Sequence, residues 1–360
     1  MIFARLYIGW IVLICAEGLS GASLGSGFWN PWTLLVTFWL YFGHFFLFTT
    51  LAIHSGRCSL SALYLWGVLF GLYESWITKV VWYGYEGNGQ SVPGWIGPFA
   101  YSEISMVFFF HPAISFILPL CILCMVSPAH RAQFPDLAWF SAPEKRPRLL
   151  RYFFIVSFAA VMAMNSGGPV NLLLNAAFAL IILVALRRLA GESLHVASVT
   201  HATPAPAPLG TSLQALNAAL LAEGPGANPV SVLAFGRRGF AALCVYLAAL
   251  YVIGYVFIRP EGLPSIAVQL LTLALYAPPL YGLCRHGPIA PRTSALGFTG
   301  GTQEIRRLAG LLFVLALAFS FFAGQPLLAI FVLPSLLLWT PLGVALTGVA
   351  LARCMRYGRA

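Results

Sequence analysis

The sequence predicts an all-α, polytopic transmembrane helix bundle of about ten spans with both termini in the cytoplasm, and three observations predict it. Only 8% of the residues are charged, against about 25% in a soluble domain. Mean hydropathy is +0.85 and 60% of the residues are hydrophobic. The apolar runs are about 20 residues long and do not alternate with polar residues, which selects helices over strands. Backbone polar groups find no water in hydrocarbon, so only helices or closed barrels cross it.

Taken in order, spans are expected at 4–20, 32–53, 59–83, 104–127, 149–165, 169–187, 238–258, 263–283, 306–324 and 327–350. Arg5 before Tyr7 to Ala16 resembles a signal peptide. No small-x-small site follows, and Ile14 spoils a lipobox ending at Cys15, so the segment reads as an uncleaved first span. Spans five and six turn at Asn165 to Pro169, and spans nine and ten at Gly324 to Pro326, where Gly and Pro favour a break. With the N-terminus inside, every Lys and Arg falls on the inner side except Lys79 and Arg259. A wrong helix count would scramble that alternation.

Two inner connections are long. Residues 128–148 are basic and Pro-rich. Residues 189–236 hold the low-complexity run Thr203 to Gly210, then Ser212 to Ala222, which suits one interfacial helix. This linker divides the chain into a six-span bundle, 1–188, and a four-span bundle, 237–360.

The formal charge of +10 sits in loops, where it sets topology and meets anionic headgroups. The expected partners are therefore the lipid bilayer and other membrane subunits, not nucleic acid. The expected location is a bacterial or archaeal cytoplasmic membrane. No P-loop or dinucleotide fingerprint is present, and no cofactor is assigned. Most of the seven cysteines lie in apolar runs and act as small hydrophobes. Cys121 and Cys124 spell CxxC with no second pair, so neither zinc nor redox chemistry is expected there.

Ionisable side chains inside a membrane are costly and point to function. They cluster in the first four spans: Glu17, His44, Glu74, Lys79, Glu103 and His111. In the third span, Gly67, Gly71, Glu74 and Thr78 recur on one helical face, and the glycines admit a close neighbour. Glu74 is thereby aimed at a helix contact. Lys79 lies off that face among Trp76, Trp82, Tyr83 and Tyr85, an aromatic belt into which it can snorkel. In the fourth span, Glu103 suits a helix N-terminus. His111 is about 12 Å deeper, with Ser115 at i+4 on the same face. Pro112 and Pro119 predict a kink there. The expected catalytic pair is Glu74 and His111, with Glu17, His44, Glu103 and Ser115 on the substrate side, beneath the Gly- and aromatic-rich loop from Tyr83 to Tyr101. The bland reading of His111 is a core histidine bonded to a kink carbonyl. A metal held by His44, His111 and Glu74 lacks motif spacing, and a Ser–His pair at i, i+4 needs no catalytic reason.

Glu74 with Lys79 on one helix, then Phe110-His111 followed by Ser115, resembles the CAAX-protease-like glutamic intramembrane peptidases over about 45 residues. That resemblance implies that Glu74 activates a water and His111 helps bind the oxyanion. The departures are a missing second glutamate at Ser75, a basic residue one position late, Ser115 in place of Asn, and no second catalytic His. The family's prenyl-protein members also work from the cytoplasmic side, whereas this topology faces the site outward. The strings Glu17 to Gly21, Asn30-Pro31 and those of spans three and four also resemble a widespread group of uncharacterised membrane proteins, which implies no chemistry. Three functions follow: a membrane-embedded enzyme acting on lipid or peptide by Glu/His acid–base chemistry, a proton-coupled transporter, and a structural or cofactor-binding subunit of a membrane complex.

Overall fold

A computed structural model describes residues 1–84, 91, 94–139, 148–195, 231–288, 301–325 and 328–357. The described stretches are mostly helical, and one hairpin pairs Trp95 with Ala100 and Ile96 with Phe99. Each of the ten expected spans contains helix. Six helical runs are long and apolar enough to cross a membrane: Thr33–His54, Tyr101–Val126, Pro169–Leu194, Arg237–Phe257, Ile266–Arg285 and Ala329–Arg356. The middle of the 189–236 linker, including 212–222, lies outside the described residues, as does much of the 83–101 loop.

The chain divides into two compact units, each drawn from three stretches. The first comprises Met1–Phe42, Leu118–His195 and Thr293–Ser335. Within it, helix Ile2–Leu13 packs on Pro169–Ala190, with Trp10 Nε1 donating to the Ala179 carbonyl at 3.0 Å. Helix Arg148–Asn165 packs on Gly301–Ser320. Carboxamides tie down the loop after residue 20. Asn171 Nδ2 donates to Leu24 O at 2.7 Å, Asn175 Nδ2 to the same carbonyl at 2.9 Å, and Phe28 N donates back to Asn175 Oδ1 at 2.7 Å. Leu24 and Phe28 are buried, so their backbone groups must find protein partners.

The second unit comprises Gly43–Ile117, Val196–Arg292 and Leu336–Ala360. Ser59 caps helix Leu60–Gly71, its Oγ accepting from Ala62 N at 3.1 Å. That helix does not run unbroken to residue 83 as expected. It resumes as Tyr73–Trp76 and again as Val80–Tyr83. The break falls at Lys79, which is left-handed with φ 59°. Lys79 does not snorkel. It is fully buried, and its ammonium donates to Gly254 O at 2.8 Å and also to Ile258 O, at the C-terminal end of helix Arg237–Phe257. A cation there complements the helix dipole, and Gly254 O also accepts from Ile258 N at 3.2 Å. Arg259, left-handed with φ 46°, returns the contact by donating to Thr78 O at 3.2 Å. The two cations that the sequence sets on the outer side therefore form a clasp, each donating to the carbonyl of the residue before the other.

Opposite Leu60–Gly71 stands a π-helical segment, Met106–Ile117, inside the longer helical run Tyr101–Val126. Pro112, where the sequence predicts a kink, lies within these wide turns. Pro112 has no N–H for the preceding turn. The Phe108 carbonyl instead accepts from the Tyr64 hydroxyl at 2.6 Å. The two segments touch through glycine. A Cβ on Gly67 would meet Pro112 Cα at 2.5 Å, and one on Gly71 would meet Val107 Cα at 3.0 Å.

Candidate functional site

Glu74 and His111 meet across that glycine contact. Gly67 and Gly71 bring the backbones together, and Glu74 follows Gly71 on the short helix Tyr73–Trp76. His111 Nε2 lies 2.9 Å from Glu74 Oε1. On the other side of the ring, Nδ1 lies 2.9 Å from Ser115 Oγ. The imidazole thus links a carboxylate and a hydroxyl. Glu74 is 8% exposed, His111 2% and Ser115 not at all.

One neutral tautomer satisfies both contacts of an ionised Glu74. Its N–H sits at Nε2 and donates to Glu74, leaving the Nδ1 lone pair to accept from Ser115. Hydrogen bonds of this kind strengthen in low dielectric, where an unpaired carboxylate would be costly.

Aromatic rings of Phe70, Tyr73 and Phe110 pack on the imidazole. The Tyr73 hydroxyl is 3.5 Å from His111 Nε2, and the two ring centroids are 5.3 Å apart. Tyr73 lies equally close to His44, at 5.4 Å between centroids. His44 Nε2 is 3.1 Å from the Tyr251 hydroxyl. His44 thus joins the cluster through aromatic rings and faces Tyr251. Glu103 is buried, accepts from Ser102 Oγ at 2.8 Å, and lies within electrostatic range of Glu74 and His111. Glu17 belongs to the first unit. There, in a π-helical turn, its Oε2 accepts from Ser23 Oγ at 2.6 Å. Among the described residues no three of His, Cys, Asp and Glu gather closely enough to hold a metal ion.

One comparison gives this helical chain its relatives. The chain belongs to an uncharacterized membrane protein family. The family's model matches residues 6–356, so it takes in Glu74, His111 and every neighbour named above. Membership makes the chain integral to a membrane and in contact with lipid. It is also similar to an uncharacterized protein of Archaeoglobus fulgidus, 36% identical over 117 residues. That stretch is 32% of this chain and 36% of the relative, so the match spans about a third of the relative's length. No solved structure matches. The family is one of membrane proteins at large, and neither comparison points to the CAAX-protease-like peptidases.

Proposed function

We propose that this protein is a membrane-embedded enzyme that acts on a lipid or peptide substrate through Glu74 and His111. The observation that carries this is the 2.9 Å contact between the His111 ring and the Glu74 carboxylate, inside a chain whose solvent is lipid. A buried carboxylate hydrogen-bonded to an imidazole is costly to keep in hydrocarbon, and such groups point to function. In this reading His111 moves the proton of the attacking group, and Glu74 holds the ring's orientation and offsets the charge it gains. Glu103 and Tyr73 line the same region and orient the substrate.

Ten crossings with both ends in the cytoplasm and the site toward the outer side belong to the same reading. The distribution of Lys and Arg supports them.

The test is turnover. The full chain in nanodiscs of bacterial or archaeal polar lipid, with an added peptide mixture, is followed by mass spectrometry of lipids and peptides. Wild type should change a component, and Glu74→Gln and His111→Asn should each slow that change by about 100-fold or more. Equal turnover in wild type and both variants would sink the proposal.

A proton-coupled transporter is the second reading. The run of polar groups from Ser115 through His111 to Glu74 supports it, since such a chain also relays protons. Proteoliposomes carrying a pH-sensitive dye separate the two: Glu74-dependent proton uptake without chemical turnover favours transport. A structural or cofactor-binding subunit would show neither, and would keep its partners in both variants.

A further inference from the structure

We infer that Ser115 is a nucleophile and that the site performs acyl transfer on a membrane-borne ester or amide. This deepens the proposed enzyme reading and rests on it. Spacing alone gave Ser115 no such role, because residues at i and i+4 on a helix meet anyway. The structure adds a direction. Ser115 Oγ is 2.9 Å from Nδ1, and Nε2 of the same ring is 2.9 Å from Glu74 Oε1. Carboxylate, imidazole and hydroxyl stand in series, with the base oriented by a third group on another helix. That is the arrangement by which a serine is activated, and it is recognised by roles and not by chain order. Here the nitrogens are exchanged relative to the common form: the hydroxyl faces Nδ1 and the carboxylate faces Nε2.

The step balances as follows. Ser115 Oγ forms a bond to the carbonyl carbon of the substrate, and its proton passes to His111 Nδ1. The bond from that carbon to the leaving oxygen or nitrogen breaks, and the leaving group takes the proton from Nδ1. Water, or the hydroxyl of a second lipid, then gives its proton to Nδ1 and attacks the acyl-serine. The acyl group leaves Oγ, which regains the proton. No electrons change hands. Glu74 stays ionised and offsets the imidazolium in each half.

The setting narrows the substrate. Ser115 and its neighbours His111 and Phe116 are buried in a chain of a membrane protein family. The substrate class inferred is therefore a lipid ester or a lipidated peptide, which shares the membrane with the chain.

The probe is a long-chain alkyl fluorophosphonate, which phosphonylates activated serines. It is applied to the full chain in nanodiscs, and peptide mass spectrometry finds the adduct. The expected result is an adduct on Ser115 that disappears in Ser115→Ala. It should form about 100-fold more slowly in His111→Asn. Ser115→Cys guards against misfolding: its thiol should react with N-ethylmaleimide faster than the buried Cys121 of the same protein, and more slowly once His111→Asn is added. An unlabelled Ser115, or labelling indifferent to His111, overturns the inference. Turnover that survives Ser115→Ala but fails in Glu74→Gln and His111→Asn overturns the serine alone and leaves an activated water. Turnover indifferent to all three removes the enzyme reading with it.

Discussion

The most apolar 18 residues of the helical run Tyr101–Val126 and of the helix Arg237–Phe257 have the same mean hydropathy, 2.2, yet 72% of those in the first are buried and 17% of those in the second. Hydropathy decides that both belong in a membrane. It does not decide which faces protein and which faces lipid. What separates them is the side chains that lipid would punish. The first carries Glu103, His111 and Ser115, with Pro112 widening its turns. The second, beyond Arg238, carries no charged residue or histidine before its end, and Val245, Val252 and Phe257 stand exposed along it. Polar groups that must be satisfied recruit neighbours, and the burial follows from them.

The largest effect should come from uncoupling the polar groups of the buried run. Glu74→Gln and His111→Asn are each expected to cost turnover about 100-fold. The double variant should be hardly worse than the poorer single, since residues acting as a unit do not add. Losses that multiply would mean that the two act separately, and their 2.9 Å contact would then be packing.

Much of this pair was legible in the sequence. The spacing of Gly67, Gly71 and Glu74 put a carboxylate on a face that admits a neighbour, and the depth of His111 matched it. The wide turns around His111 were not legible, because Pro112 announces a missing N–H but not whether the helix bends or expands. Lys79 was misread for a different reason. Nothing local breaks the helical pattern through residues 72–79, and the break is imposed by Gly254, Ile258 and Arg259, far along the chain. Tyr64, Tyr73 and Tyr251 gave no signal in a chain that is 14% aromatic, where one more tyrosine reads as belt or core. Ser115 was visible at i+4, but only the position of Glu74 beyond the ring gives the hydroxyl a direction.

The next effect tests how tightly the buried run is gripped. Gly67→Ala places a methyl against Pro112 Cα, a backbone atom that cannot swing aside. Overpacking of that kind costs about 1–3 kcal/mol, read as a lower midpoint of thermal unfolding in detergent. Turnover should fall as well, because the methyl pushes His111 from Glu74. An unchanged midpoint would mean that the two segments are not in contact.

Lys79→Met tests the far end of the exposed helix. It leaves the carbonyls of Gly254 and Ile258 without their charged donor, a loss of about 1–3 kcal/mol for buried groups. It also keeps a side chain in a left-handed conformation that has lost its compensation. Lys79→Arg, which keeps the charge, should recover part of the loss. If Lys79→Met matched wild type in unfolding midpoint, the clasp would carry no stability, and the snorkelling lysine read from the sequence would return.

The smallest effect is expected where the comparison began, on the lipid face of Arg237–Phe257. Val245 is 71% exposed, while Leu247, two residues on, is 4% exposed and lies against Gly43. Val245→Ala exchanges one apolar contact with lipid for another and should change stability by no more than about 0.5 kcal/mol. Leu247→Ala empties a packed position, and about 2–5 kcal/mol is expected for that change in a closed core. The ratio of the two is more telling than either value, because both sit on one helix of uniform hydropathy. A Val245→Ala cost approaching that of Leu247→Ala would mean that this face is covered in the membrane by protein, as a subunit of a larger complex requires. A negligible one leaves lipid as its neighbour and makes the face the plain counterpart of the one that holds His111.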